Sequence, residues 1–206
     1  MEKFYLLSPA HPETVQEHFS LQEGESLEMC ILVLPGVSGA VRLTVDLDGE
    51  GALAHIYGAY LCTGDEEVSL RVDVNHNVPG CHSRQLFKGI AGGMSRAAFR
   101  GLVTVRKDAA RTEAYQETHN ILASEHARVE ADPQLEIYAD DVQCSHGATI
   151  GALSETEQFY MRSRGIPAPE ARLLQMISFL SPVLAHLPAG QQEALKAEVE
   201  AGLLAL

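Results

Sequence analysis

Residues 41–49 read VRLTVDLDG. Val41, Leu43, Val45 and Leu47 fall on one side of an extended chain, and Arg42, Thr44, Asp46 and Asp48 on the other. Period-2 alternation of this kind marks a strand with one buried and one solvated face. The DGEG at 48–51 then supplies a turn. The pattern recurs in both directions: Leu27–Leu34, Ala52–Cys62, Glu67–Val74, Ser83–Ile90, Ser95–Val105, Glu113–Leu122 and Arg128–Ala139 all read as strands. They are punctuated by TGD at 63–65, VPG at 78–80 and AGG at 91–93. About eight strands with no helical pattern between them predict an all-β body over 1–153. Periodicity alone fits both a sandwich and a stacked β-helix. The lack of a repeat of fixed length counts against the stack. The segment 1–26 precedes the first strong strand and is a candidate cap for the open edge there.

After Leu153 the period changes, and 154–206 reads as a small helical domain. Ser154 and Glu157 are spaced as a capping box, and Gly165 suits the left-handed stop of that first helix. Pro167 and Pro169 suit the first turn of a second helix, whose apolar stripe runs through Leu173, Ile177, Leu180 and Leu184. Pro182 should kink it, since proline removes the bond to the carbonyl four residues back. A third helix spans about 191–203, with Leu195, Val199 and Leu203 on one face. Such stripes are expected to pack on each other or on the β body.

Against 15 basic residues stand 28 acidic ones, a net charge of -13. This excess disfavours a nucleic-acid backbone or an anionic membrane as partner. There is no apolar run of the roughly 18 residues a membrane span needs, and MEKFYLLSPAHPE is not a secretory signal. Cys30, Cys62, Cys81 and Cys144 are scattered with no CxxC pair, a pattern of reduced thiols in a cytoplasmic protein. No HExxH, phosphate loop or nucleophile elbow is present, so nothing indicates a hydrolase or a nucleotide site.

The chemistry-bearing stretch is IYADDVQCSHGATIG at 137–151. On a strand, Cys144 and His146 point to the same face, and thiolate and imidazole both suit soft or borderline metals such as iron. Two ligands cannot enclose a metal, and His76, the Cys81–His82 pair, His119 and His126 are the other candidates in the chain. Taken alone, Cys144 and His146 are equally a buried thiol and a strand-end histidine. Asp140 and Asp141 point opposite ways on an extended chain, which favours turn formers over a pair of catalytic acids. Asn75–His76 and His119–Asn120 read as strand-end polar residues.

Several motifs in order carry a more specific signal: HSRQLFKGI at 82–90, SRAAFRG at 95–101, HNILAS at 119–124, PQLEIYADDVQCSHGATIG at 133–151 and FYMRSRGI at 159–166. Over roughly half the chain these resemble the SufB/SufD family of iron–sulfur cluster assembly proteins, and its SufD-like branch in particular. The resemblance implies a right-handed parallel β-helix followed by a helical domain. It implies a non-catalytic scaffold of the SUF assembly (the SufBCD complex), pairing through its β-helix core with a SufB-like paralogue or with itself. A SufC-like ATPase would dock on the helices, and Phe159, Tyr160, Arg162 and Arg164 are the residues assigned to that contact. His146, with Cys144 beside it, would ligate a transient iron–sulfur cluster shared with the partner chain. The competing reading is a structural β-helix protein that forms a homodimer without iron–sulfur chemistry. A β-helix enzyme acting on polysaccharide is a third, for which the scattered acids supply no groove. Family members usually carry a further N-terminal helical region and a longer β-helix than this chain.

Overall fold

The computed structural model describes residues 1–11 and 14–206. Eleven strands come first: β1 (Glu2–Leu7), β2 (Val15–Leu21), β3 (Ser26–Val33), β4 (Gly39–Leu47), β5 (Leu53–Cys62), β6 (Glu67–His76), β7 (His82–Ala91), β8 (Arg96–Val105), β9 (Glu113–Leu122), β10 (Arg128–Ile137) and β11 (Gln143–Gly151). Three helices follow: α1 (Glu155–Ser163), α2 (Ala168–Leu184) and α3 (Gln192–Leu203). The strands alternate between two sheets, ordered β1-β3-β5-β7-β9-β11 and β10-β8-β6-β4-β2, and every pairing is parallel. Each strand therefore stacks on the one two positions earlier, which makes the chain a β-solenoid.

The solenoid is hidden from a search for a fixed repeat because its turns differ in length. In the odd-numbered sheet Ser26 pairs with Leu53, Leu53 with His82, His82 with Glu113 and Glu113 with Gln143, spacings of 27, 29, 31 and 30 residues. The segment 1–26, expected as a cap, itself supplies β1 and β2, the outermost strands at that end of each sheet. Within it, Pro12 and Glu13 lie outside the described residues.

The inner faces of the two sheets fill a lumen. Val41, Leu43, Val45 and Leu47 are all buried there, as their alternation predicts, alongside Met29, Ile31, Phe87 and Phe99. The two phenylalanine rings lie 4.7 Å apart and tilted by 42°, the attractive geometry for an aromatic pair. Gly58 faces the Phe87 ring so closely that a Cβ would come within 2.3 Å of it.

The odd-numbered sheet is also covered outside. Cys30, Leu32, Tyr57, Leu61 and Ile90 pack under Met176, Leu180 and Val183 of α2 and Leu195, Val199 and Leu203 of α3. Burial on both faces explains why β5, LAHIYGAYLC, reads as a nearly continuous apolar run while β4 alternates. The helical stripes thus pack both on each other and on the β body. At about 25 cal/mol per Å² this outer layer is a second hydrophobic core, not a loose appendage.

The helix boundaries follow their signals. Ser154 Oγ accepts the Glu157 amide at 3.3 Å, and Gly165 adopts φ +91° just past α1. Glu157 does not close the capping box; it accepts instead from Gln175 Nε2 at 2.7 Å, tying α1 to α2. α2 ends two residues beyond Pro182. No helix of the described residues is long and apolar enough to cross a membrane.

Candidate functional site

The last turn of the solenoid follows the same rule as the turns before it and ends differently. In β9 the inward row is Ala114, Gln116, Thr118 and Asn120, all buried. Their register partners in β11 are Cys144, His146, Ala148 and Ile150, which continue the row by one step. No strand lies beyond β11 or β10 among the described residues. The second side of the mouth is the inward row of β10, where Val129 and Leu135 pack against the lumen core. The residues at this end are consequently half-buried or exposed, with Ile150 46% and Ile137 42% accessible.

Cys144 and His146 share one face, as two-residue spacing requires. Cys144 is half-buried against the lumen core, whereas His146 is exposed at the mouth. Burial raises the Cys144 thiol above its ordinary value, with the Ala114 backbone partly opposing the shift. A raised thiol is a poorer thiolate donor, so of the two the imidazole is the readier ligand.

The other candidate ligands do not join them. Among the described residues no three His, Cys, Asp or Glu side chains come together as a metal site. Burial, helped by the charges of Glu28 and Glu66 respectively, pushes the Cys30 and Cys62 thiols up to about 12. Cys81 is buried with its thiol directed at the Gly49 carbonyl, 3.2 Å away. His82 lies 3.5 Å from Glu113, and His119 contacts Thr149 Oγ1 at 2.9 Å. His126 sits in the exposed turn before β10.

His76, the last residue of β6, and Asn120, two short of the end of β9, are strand-end polar residues that are buried. His76 Nε2 meets Ser83 Oγ at 2.8 Å, and burial, followed by the neighbouring His82 charge, lowers its pKa to about 4. Asn120 accepts the Tyr60 hydroxyl from two turns away. That reach requires Gly89 between them, where a Cβ would lie 1.8 Å from the tyrosine ring. Asp141 takes φ +55° in the turn before β11, and its carbonyl accepts from the Arg111 amide at 2.7 Å, which settles the aspartates as turn residues.

Beside β11, the strand and helices α1 and α2 enclose an open, mostly apolar groove of about 910 Å³. α1 buries none of its residues. Phe159 is 70% and Tyr160 61% exposed, Arg162 is exposed, and the Arg164 guanidinium lies 5.3 Å from the Tyr160 ring centre. All four residues assigned to a docking contact are accessible, and Tyr160 lines the groove together with Ile150 from the end of the lumen row.

Two lumen residues carried no sequence signal. Gln85 and Gln116 are fully buried and joined by a hydrogen bond of 3.2 Å from Gln116 Nε2 to Gln85 Oε1. The sequence of β9, EAYQETHNIL, has no apolar row to say which face turns inward.

A parallel β-solenoid with a helical layer packed on one sheet is a β-helix core domain. The chain matches the model of the SUF system FeS cluster assembly SufBD core domain over residues 7–179. It belongs to that family. It is 37% identical over 166 residues to the iron–sulfur cluster assembly protein SufD of Escherichia coli, covering 79% of this chain and 38% of the relative. A chloroplastic protein of Arabidopsis thaliana, ABCI7, is 36% identical over 82% of this chain and 36% of its own length. The SufD of Bacillus subtilis is 30% identical over 70% of this chain and 33% of its own. The chain thus spans well under half the length of these relatives.

Proposed function

We propose that this chain is a non-catalytic scaffold subunit of a SUF iron–sulfur cluster assembly complex in the cytoplasm, with His146 donating one ligand to a nascent cluster. The observation that carries the reading is the placement of His146 in the mouth of an otherwise filled lumen, on a strand with a free edge. An edge strand presents unpaired N–H and C=O groups, and the exposed Ile137 and Ile150 add apolar surface. A SufB-like paralogue, or a second copy of this chain, completes the last turn. The ligands that one chain lacks then come from across the interface. Cys144 stands behind His146 as a secondary donor. The cluster is cargo held by few ligands, and such incomplete ligation suits a scaffold that must release it.

The exposed Phe159, Tyr160, Arg162 and Arg164 on α1 dock a SufC-like ATPase. Exposed aromatic and arginine side chains are the usual anchors of a protein interface.

The test of the site is His146→Ala in the reconstituted complex under anaerobic conditions, with iron and sulfide supplied. Loss of the visible chromophore, with complex formation intact, is expected. An undiminished chromophore in the variant removes His146 from the site. No chromophore in the wild-type complex leaves a structural homodimer or interaction protein.

A further inference from the structure

The inward row that ends at His146 changes character along the solenoid. Read through the register, it runs Met29, Ile56, Gln85, Gln116, His146. Behind the exposed Lys3 that pairs with Met29 at the first end, Met29 and Ile56 are apolar; the last three positions are polar. Gln116 is 0% exposed, and only one of its amide ends is accounted for. Nε2 donates to Gln85 Oε1, one turn back, while Oε1 is buried with no partner. In a stacked amide ladder the carbonyl points opposite to the donated N–H, which puts Oε1 on the side of the next strand. No hydrogen bond joins it to His146 in this structure, and Gln85 Nε2 at the other end of the ladder is likewise unpartnered. Adjacent strands are about 4.8 Å apart, and the next residue in register is His146. Gly101 makes room for the amide from the opposite sheet, since a Cβ there would lie 2.3 Å from Nε2. A buried acceptor left unsatisfied is costly, and one that persists calls for a partner.

We propose that Gln116 is a positioning residue for His146: its Oε1 accepts the ring N–H that faces the lumen. This fixes one neutral tautomer and leaves the lone pair of the opposite nitrogen directed out of the mouth, toward a metal. A hydrogen bond from the second ring nitrogen is the usual way a ligating histidine is oriented. The assignment rests on the reading of His146 as the cluster donor, but its own signature is independent of any cluster.

The experiment records long-range ¹H–¹⁵N correlations of the histidine rings in the full chain at neutral pH, without metal. One hydrogen bond of ordinary strength biases His146 about tenfold toward a single tautomer. Gln116→Met keeps the shape of the side chain and should reduce that bias to less than about threefold. Gln116→Asn, one methylene shorter, should do the same and serves if the methionine variant does not fold. Gln85→Met removes the acceptor that orients the Gln116 amide and should weaken the bias less than the Gln116 variants do. An unaltered ratio in both Gln116 variants, or an equal loss in Gln85→Met, overturns the proposal. Anaerobic reconstitution with a SufB-like chain separates the two readings. A chromophore in wild type with an unmoved ratio retires Gln116 and keeps the site. A moved ratio with no chromophore in wild type keeps Gln116 as the partner of His146 and retires the cluster assignment.

Discussion

The turn formed by β7 and β8 and the turn formed by β10 and β11 are built on the same alternation, yet they serve different ends. In the first, Phe87, Phe99 and Val103 are sealed between neighbouring turns. In the second, the equivalent inward rows hold Val129, Leu135, Cys144 and His146, and no further strand among the described residues covers them on the outer side. A solenoid turn is complete only when both neighbours are present. The same pattern is therefore core in the middle of the stack and an exposed face at its end.

The largest effect that should separate the two turns is on stability. Phe87→Ala is expected to cost about 3–5 kcal/mol, because the site cannot collapse around a lost ring. Leu135→Ala, on the half-covered row, should cost only about 1 kcal/mol in the isolated chain. Urea denaturation of both variants checks this, and equal losses would mean that the last turn is as tightly packed as the middle.

Acid comes next. His76 stays neutral when folded, with its pKa lowered to about 4 against an unfolded value near 6.5. Its stabilising contribution is fully present above about pH 6.5 and is lost as pH falls toward 4, because only the unfolded chain takes up the proton. The total is on the order of 3 kcal/mol. His76→Leu should flatten the fall in urea midpoint over that window.

Glu66 gives a smaller effect of the same sense in a lower window. Burial alone would raise its carboxyl, but the amides of Gly36, Thr63, Gly64 and its own outweigh that and hold it below the usual 4.5. Its contribution is present above about pH 4.5 and is lost as pH falls below. Glu66→Gln should cost about 2 kcal/mol at pH 7, a gap that narrows in acid. The smallest effect on folding belongs to α1. Phe159→Ala with Tyr160→Ala should leave stability within about 0.5 kcal/mol. If the docking surface is right, pull-down of the ATPase fails in that double variant.

The strands of the middle turns were legible because their apolar rows are strong. In VRLTVDLDG the parity alone identifies the face, and every inward residue is buried. β1 and β2 were not legible: VQEHFSL at 15–21 carries Glu17 on the inward parity, and only Leu21 of that strand is fully buried. Stacking was hidden by loops of unequal length. At the site, the shared face of Cys144 and His146 follows from spacing. That this face is the open mouth of a lumen depends on β11 being last in its sheet, a topological fact no local pattern contains. Gln116 was hidden for the opposite reason, since a glutamine among polar neighbours reads as solvated.

The central claim is that another chain completes the last turn, and hydrogen exchange addresses it most directly. Amides of β10 and β11 should exchange readily in the isolated chain and gain at least about tenfold protection when a SufB-like partner is added, while β4 and β6 stay as they were. Partner binding that leaves β10 and β11 unprotected, or that protects β1 and β2 in their place, would contradict the account.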